Sequence, residues 1–262
     1  MSRLPVWIEP GHSDGHVVAL AELPLSTRRA EGIDGAIAVV ATSEGARQVV
    51  GAHPAAIVLT HADSIDVALL DDLSRLRPAI PVIVERRLLR ADAVAAATRD
   101  LSASPPRYVT IDLVSPPDEY DSALVDAAGW FRELAGGPCR PLTRAGTRAA
   151  AIALFESETS GAGLVLSVTQ ASRHAHGVQL RVISVDERRV EVVIDERAHL
   201  LRVSHASEES DLTAPSLAET RERLSLRRAV AALSDGTDPT DLTDLLADLG
   251  TASDLRRSPL EA

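Results

Sequence analysis

Short, almost wholly apolar segments alternate with amphipathic segments through the first hundred residues. The apolar segments are "PVWI", "AIAVVA", "AAIVLTH" and "IPVIVE", and each precedes a stretch of helical period such as "SIDVALLDDLSRL". Strands that are apolar on both alternations are typical of parallel sheets, because crossover helices cover both faces. The pattern therefore predicts an α/β fold that begins with a parallel sheet. We expect "LPLSTRRAEGIDG", which has no clear period, to be a loop.

The rhythm changes after "SASPP" at 102–106, where paired prolines cannot continue a helix. A strand ("RYVTIDLV") and a helix ("EYDSALVDAAGWFRELAGG") follow, and then a run of consecutive strands from "RAAAIALFES" to "HLLRVS". Such a run predicts a mainly antiparallel sheet. We predict two domains: residues 1–105 form a reduced Rossmann-like domain, and residues 106–262 form an α+β domain with an open sheet.

Composition excludes several kinds of chemistry. The net charge of −11 argues against a nucleic-acid binder, which needs a basic face to neutralise phosphates. All 27 basic residues are arginine, so a Schiff base, a P-loop lysine and a lysine general acid are excluded. The single cysteine, Cys139, offers no intramolecular disulfide and too few thiols for a zinc site.

With neither a signal-peptide pattern nor a membrane-spanning stretch, the expected location is the cytoplasm, and no membrane partner is expected.

The turn after the first strand has the outline of a dinucleotide-binding turn. In "VWIEPGHSDGHVV", a G-x-G-x-x-G fingerprint would begin at Glu9, and only Gly11 of its three glycines is present, because Asp14 stands at the third position. Those glycines let backbone N–H groups approach a pyrophosphate at the helix N-terminus. Carboxylates in the same place repel it. The turn is therefore predicted to have lost its dinucleotide.

The order of segments resembles the Gfo/Idh/MocA family of NAD(P)-dependent oxidoreductases, named for glucose–fructose oxidoreductase and inositol dehydrogenase. "GHSDGHVVALAELP" is similar to that family's first turn and helix, and "IPVIVERRLLRADAVAAA" to the strand with its Glu-Lys-Pro motif. "SALVDAAGWFRELAGG" is similar to the helix with its Asp-x-Gly-x-His signature, and "AIALFESETSGAGLVLSV" to its sheet. The resemblance implies a Rossmann-like domain followed by an open-sheet domain. It also implies a further strand and helix between "ATRDLSASP" and "RYVTID", which this chain lacks.

The departures from the family fall at its functional positions. Arg86 replaces the lysine that follows Glu85, and Trp130 replaces the histidine that follows Asp126. Because indole does not exchange a proton near neutral pH, the family's general acid/base is missing. Thr42 stands where an acid for the ribose hydroxyls would often lie. No catalytic residue is predicted; the resemblance leaves four vestigial cofactor-binding candidates, Gly11, Thr60, Glu85 and Arg86.

Other polar clusters have two interpretations each. His12 and His16 flank Asp14, but a third metal ligand is not apparent, so polar turn residues are the favoured interpretation and no metal site is predicted. The sequence Glu85-Arg86-Arg87 is either a surface charge cluster, which we favour, or an anion site at the end of a parallel strand. Trp130 is expected to fill the space of the former active site.

The function that follows is a diverged, catalytically inactive oxidoreductase homologue, without a cofactor, that acts as an assembly or regulatory partner. One alternative is an active NAD(P)-dependent oxidoreductase of a sugar-like or polyol-like substrate with a rearranged site. Another is a small-molecule binding module. Because several later strands are apolar on both alternations, we expect a homo-oligomer, or a heteromer with an intact family member, formed through the open sheet, with Val168 and Val182 on its outer face.

Overall fold

A computed structural model describes residues 3–11, 14–76, 80–99, 106–147, 149–172, 176–208, 210–215, 219–237 and 239–257. The helices are α1 (Asp14–Ala21), α2 (Ser43–Val50), α3 (Val67–Arg75), α4 (Ala91–Thr98), α5 (Tyr120–Ala135), α6 (Arg221–Asp235) and α7 (Asp241–Arg257). The strands of the first sheet are β1 (Leu4–Ile8), β2 (Thr27–Arg29), β3 (Ile37–Val40), β4 (Ala56–Leu59) and β5 (Val82–Val84). Those of the second are β6 (Tyr108–Ser115), β7 (Cys139–Gly146), β8 (Ala150–Ser157), β9 (Gly163–Gln170), β10 (Gln179–Val185), β11 (Arg189–Asp195), β12 (Leu200–Ala206) and β13 (Asp211–Thr213). Together they make an α/β fold with one parallel and one mainly antiparallel sheet.

The first sheet is entirely parallel and has the order β2-β1-β3-β4-β5. Strands β3, β4 and β5 are buried along their whole length, as their apolar sequences predict. The segment expected to be a loop contains β2, whose polar sequence Thr-Arg-Arg carries no strand period and pairs along one edge only. This pairing explains why sequence reasoning missed it.

The strand order also locates the missing part of the sheet. The doubly wound order is 3-2-1-4-5-6, and the observed order matches it with the third strand absent. The strand that this chain lacks therefore belongs between β2 and β3, and not before β6 as the resemblance implied. Because β3 lies beside β1 on the side opposite β2, the point where the order reverses is between the carboxyl ends of β1 and β3.

The chain divides into two units, and their limits differ from the domain boundary that the sequence predicts at residue 105. The first unit comprises Met1–Arg86 and Ala218–Leu246, and the second comprises Arg87–Leu217 and Ala247–Ala262. In the first unit α6 packs beside α1, and its Leu226 and Ala229 lie in the core with strands β1, β3 and β4. In the second, α4 packs on α5 and on strands β11 and β12. Sequence proximity did not reveal either association, because both depend on where helical faces find an apolar surface.

The second sheet has the order β13-β12-β11-β10-β6-β9-β8-β7, and every neighbouring pair is antiparallel except β6 with β9. Burial alternates along its central strands, so one face is covered and the other is open. Val168 and Val182 lie on the covered face, with 4% and 0% exposure, which corrects the expectation that they face outward. The apolar residues of the open face include Tyr108, Val114, Ile152, Leu154, Val165, Ile183, Val185 and Val193. Among the helices described, none is long and apolar enough to cross a membrane.

Candidate functional site

The carboxylate of Glu9 lies at the point where the strand order of the first sheet reverses. Glu9 directly follows β1, and its side chain reaches the turn after β3. There Oε2 accepts hydrogen bonds from the backbone N–H of Ala41 at 2.7 Å and of Thr42 at 3.1 Å, and Oε1 accepts one from the Thr42 hydroxyl. Glu9 is 8% exposed. In doubly wound sheets this crevice is where a dinucleotide binds, and here a side chain of the protein itself occupies it.

Gly45, in the first turn of α2, makes room for this carboxylate. An ideal Cβ on Gly45 would lie 2.5 Å from Cδ of Glu9, far inside van der Waals contact. The hydroxyl of Thr42 also accepts a hydrogen bond from the Gly45 N–H at 3.1 Å, so Thr42 is the N-cap of α2 as well as a donor to Glu9. Glycine is otherwise unfavourable inside a helix. Its presence at this position is explained by the space that the Glu9 carboxylate needs.

Gly11 retains a glycine conformation, with φ of +81°, in an exposed turn. A side chain there would meet open space but would strain the backbone. His12 and Ser13 lie outside the described residues, and so does the side chain of Asp14. The structure therefore keeps the tight turn at Gly11, while Glu9 directs its side chain across to β3.

A buried polar cluster joins α1, the end of β5 and α6. Nε2 of His16 lies 3.2 Å from Oε2 of Glu85 and 3.4 Å from Oγ of Ser225, and the Ser225 hydroxyl is 3.3 Å from the same Glu85 oxygen. Both contacts of the imidazole involve one nitrogen, whereas a nucleophilic triad uses the two nitrogens of histidine for different partners. Glu85 is therefore a buried partner of His16 and Ser225, and not part of an exposed charge cluster.

Arg87 is held by two carboxylates of the second unit. Its guanidinium makes a two-pronged ion pair with Glu196 and a further ion pair with Glu119. Burial lowers the pKa of Arg87, but the hydrogen bond and charge of Glu196, with the charge of Glu119, outweigh it, so the pKa is raised overall. Because these carboxylates occupy its donors, Arg87 is not an anion receptor. Arg86 also has a polar or electrostatic interaction within the protein.

Asp126 and Trp130, which the resemblance places at signature positions, lie on the same face of α5. The carboxylate of Asp126 accepts a hydrogen bond from the Leu88 N–H at 2.7 Å, and the indole N–H of Trp130 donates to the Leu88 carbonyl at 3.0 Å. Trp130 is fully buried. Trp130 is therefore a core residue whose one polar atom is satisfied, and the expectation that it fills the space of a former active site stays a prediction.

The remaining candidates have structural surroundings. Thr60 and Glu85 follow neighbouring strands, and Thr60 is 8% exposed, with its hydroxyl 3.4 Å from the Val40 carbonyl. Thr42 follows β3 and not the second strand of the sheet, so it does not occupy the place of a ribose-binding acid. Among the described residues, no group of three or more His, Cys, Asp or Glu could hold a metal ion.

Cys139 begins the edge strand β7 and is 8% exposed. Burial and the negative charge of Asp248 raise the pKa of its thiol to about 12. The thiol is therefore protonated near neutral pH and unsuited to nucleophilic or redox chemistry.

Sequence reasoning placed Glu9 where the first glycine of the fingerprint would stand, but it did not find the partners of Glu9. The available signal was the sequence Ala41-Thr42-Ser43-Glu44-Gly45, in which a capping threonine is followed by a glycine inside the first helical turn. It also missed Ser225, since nothing in "RERLSLRR" indicates that this serine meets Glu85.

The two sheets, in this order and with these topologies, define the fold of the Gfo/Idh/MocA-type oxidoreductases. No family model matches the sequence, and no curated protein matches it either. The fold is therefore recognisable in three dimensions although sequence searches do not find it.

Two solved structures document the likeness. UDP-N-acetylglucosamine 3-dehydrogenase GnnA from Acidithiobacillus ferrooxidans matches with a TM-score of 0.71 and 14% identity, over 98% of this chain and 97% of that one. KijD10, a 3-ketoreductase from Actinomadura kijaniata in complex with TDP-benzene and NADP, matches with a TM-score of 0.65 and 12% identity, over 99% and 98% of the two chains. At such identities the likeness establishes the fold alone.

Proposed function

We propose that this protein is a non-catalytic member of the oxidoreductase fold that binds no dinucleotide and acts as an assembly or regulatory partner. The partner is a second copy of this chain or an active protein of the same fold. The contact between Glu9 and the turn after β3 is the observation that carries the proposal.

That contact opposes dinucleotide binding for an electrostatic reason. A pyrophosphate near the carboxyl ends of β1 and β3 would face the Glu9 carboxylate, which is nearly inaccessible to water and already takes two backbone N–H groups. Poor solvation strengthens the repulsion between two anions. To admit the phosphates, Glu9 would have to give up its hydrogen bonds with three donors, the N–H groups of Ala41 and Thr42 and the Thr42 hydroxyl.

Trp130 supports the loss of catalysis independently. In the family that the fold resembles, the corresponding position carries the histidine that exchanges protons. Here the indole is fully buried, and its N–H is committed to the Leu88 carbonyl. An indole in that setting neither donates nor accepts a proton in a reaction.

The open face of the second sheet supports a role in assembly. Cross-strand register brings Leu154 of β8 beside Val165 of β9. On the next two strands, Thr110 of β6 lies beside Val165, and Ile183 of β10 lies beside Thr110. Ile152 is 55% exposed and Tyr108 62% exposed. Contiguous exposed apolar residues on a sheet, rimmed by charges, are typical of protein–protein interfaces. The charged rim contains the hydrogen-bonded group Arg181, Glu191 and Arg189, whose mixed signs suit pairing with a second copy about a two-fold axis.

A ligand titration tests the proposal. Purified protein is titrated with NAD⁺, NADH, NADP⁺ and NADPH up to millimolar concentration, and unfolding is followed by thermal shift and binding by calorimetry. A ligand at a hundred times its Kd would stabilise the protein by about 2.7 kcal/mol, a readily measured effect. We expect no shift with any of the four. Micromolar binding would contradict the proposal and favour an active oxidoreductase.

A further inference from the structure

The turn between β3 and α2 carries three hydrogen-bond donors that the helix itself does not use. The helix is capped by the Thr42 side chain, which accepts from the Gly45 N–H. The N–H groups of Ala41 and Thr42 and the Thr42 hydroxyl instead converge on one spot in front of the helix. Two backbone N–H groups and a hydroxyl that converge in this way suit the oxygens of a carboxylate or a phosphate.

Gly45 gives a further indication that this spot accommodates an oxyanion. A Cβ on Gly45 would lie 2.5 Å from Cδ and 2.8 Å from Oε1 of Glu9, so any larger residue would fill the space that the carboxylate takes. Glycine is among the poorest helix formers. A glycine within the first turn of an eight-residue helix is therefore explained by the group it admits.

We propose that Ala41, Thr42 and Gly45 form an oxyanion site, and that Glu9 fills it as an intramolecular ligand. When Glu9 is removed, the site takes a free oxyanion of the carboxylate or phosphate class. The inference rests on the proposed function and deepens it, because it names the group that keeps dinucleotide phosphates out of the crevice. Glu9 thus occupies the site from within the chain, at the position where the first glycine of a dinucleotide-binding fingerprint would stand.

The first test uses Gly45→Ala in two backgrounds. In the parent protein the new methyl group overlaps the Glu9 carboxylate, so Gly45→Ala lowers Tm. In the Glu9→Ala background the space is empty and the higher helix propensity of alanine dominates, so the same change raises Tm. A rise in Tm in the parent protein would overturn the proposal. This single variant decides the question even where Glu9→Ala does not fold.

The second test is chemical rescue of Glu9→Ala. Thermal unfolding is measured with sodium formate, with sodium phosphate, and with sodium chloride at matched ionic strength. Tm of Glu9→Ala rises saturably with formate or phosphate, whereas the parent protein and Glu9→Ala/Gly45→Ala respond as they do to chloride. Rescue by formate alone identifies a carboxylate site, and rescue by both anions identifies a general oxyanion site. A response of Glu9→Ala no larger than its response to chloride would overturn the proposal.

These tests are separate from the test of the proposed function. Dinucleotide binding by the parent protein would refute the loss of the cofactor, while the sign of the Gly45→Ala effect and the rescue by inorganic anions would still report on the oxyanion site. Absence of rescue, with no dinucleotide binding by the parent, would refute the oxyanion site alone.

Discussion

Asp126 and Trp130, one turn apart on α5, hold the two backbone polar groups of a single residue, Leu88. The carboxylate takes the N–H at 2.7 Å and the indole supplies a donor to the carbonyl at 3.0 Å. Side chains at i and i+4 share a helix face, so the two groups together fix the chain that precedes α4.

Trp130→His is expected to lower the free energy of unfolding by about 2–4 kcal/mol, because it leaves a cavity and places a polar ring among apolar neighbours. Urea denaturation measures the loss, and no dehydrogenase activity is expected to appear. Trp130→Phe is the matched control: it keeps an aromatic ring but removes the hydrogen bond to Leu88, so its loss is expected to be smaller. A histidine variant as stable as the parent would contradict the buried role of Trp130.

Glu85→Ala is expected to destabilise the protein by about 1–3 kcal/mol, since it removes the acceptor that faces buried His16 and Ser225. Because the three side chains act as one cluster, His16→Ala combined with Glu85→Ala should cost less than the sum of the two single changes. Denaturation of the four proteins of the cycle measures this coupling. Strict additivity would show that the cluster contributes nothing as a unit. Glu44→Ala, whose partner Arg47 is exposed, serves as the control for an ion pair of little value.

Association through the open face is expected to be lost when a charge is introduced at Leu154, which is 40% exposed on that face. Light scattering and sedimentation should find the parent protein as a dimer or larger and Leu154→Asp as a folded monomer. Leu25→Asp is the control, since Leu25 is 85% exposed and lies outside the sheet. A monomeric parent protein would refute self-association, and mixing with an intact protein of this fold would then test the heteromer.

The buried thiol of Cys139 is expected to react with iodoacetamide only as fast as the protein opens. Because its pKa is raised to about 12 in the folded state, against about 8.5 for a free thiol, the folded protein holds the proton more tightly than the unfolded chain. The resulting stability is fully present below the unfolded pKa and is lost as pH rises toward the folded value. Cys139→Ser should therefore flatten the fall in stability above about pH 8.5. Rapid alkylation at neutral pH would contradict the conclusion that the Cys139 thiol is buried and protonated.

The sequence by itself determined the two kinds of sheet. Hydrophobic period is a local property, so "AIAVVA" and "AAIVLTH" predict buried parallel strands, and the run of consecutive strands from "RAAAIALFES" to "HLLRVS" predicts a mainly antiparallel sheet. From the resemblance, Glu9, Arg86 and Trp130 are also predicted to depart from the family's functional residues. What the sequence could not provide was the direction of each face, so Val168 and Val182 were placed on the wrong side of the sheet.

Only the tertiary structure decided what those residues contact. Glu9 meets Ala41 and Thr42 because the sheet places β3 directly beside β1, a pairing that no local pattern encodes. Ser225 meets Glu85 across 140 residues because α6 returns to the first unit to cover its apolar core. Strand order and helix return are set by which apolar surfaces bury one another most fully, a property of the whole folded chain. The local sequence therefore predicted the elements, whereas long-range burial determined the partners that give Glu9, Glu85 and Trp130 their roles.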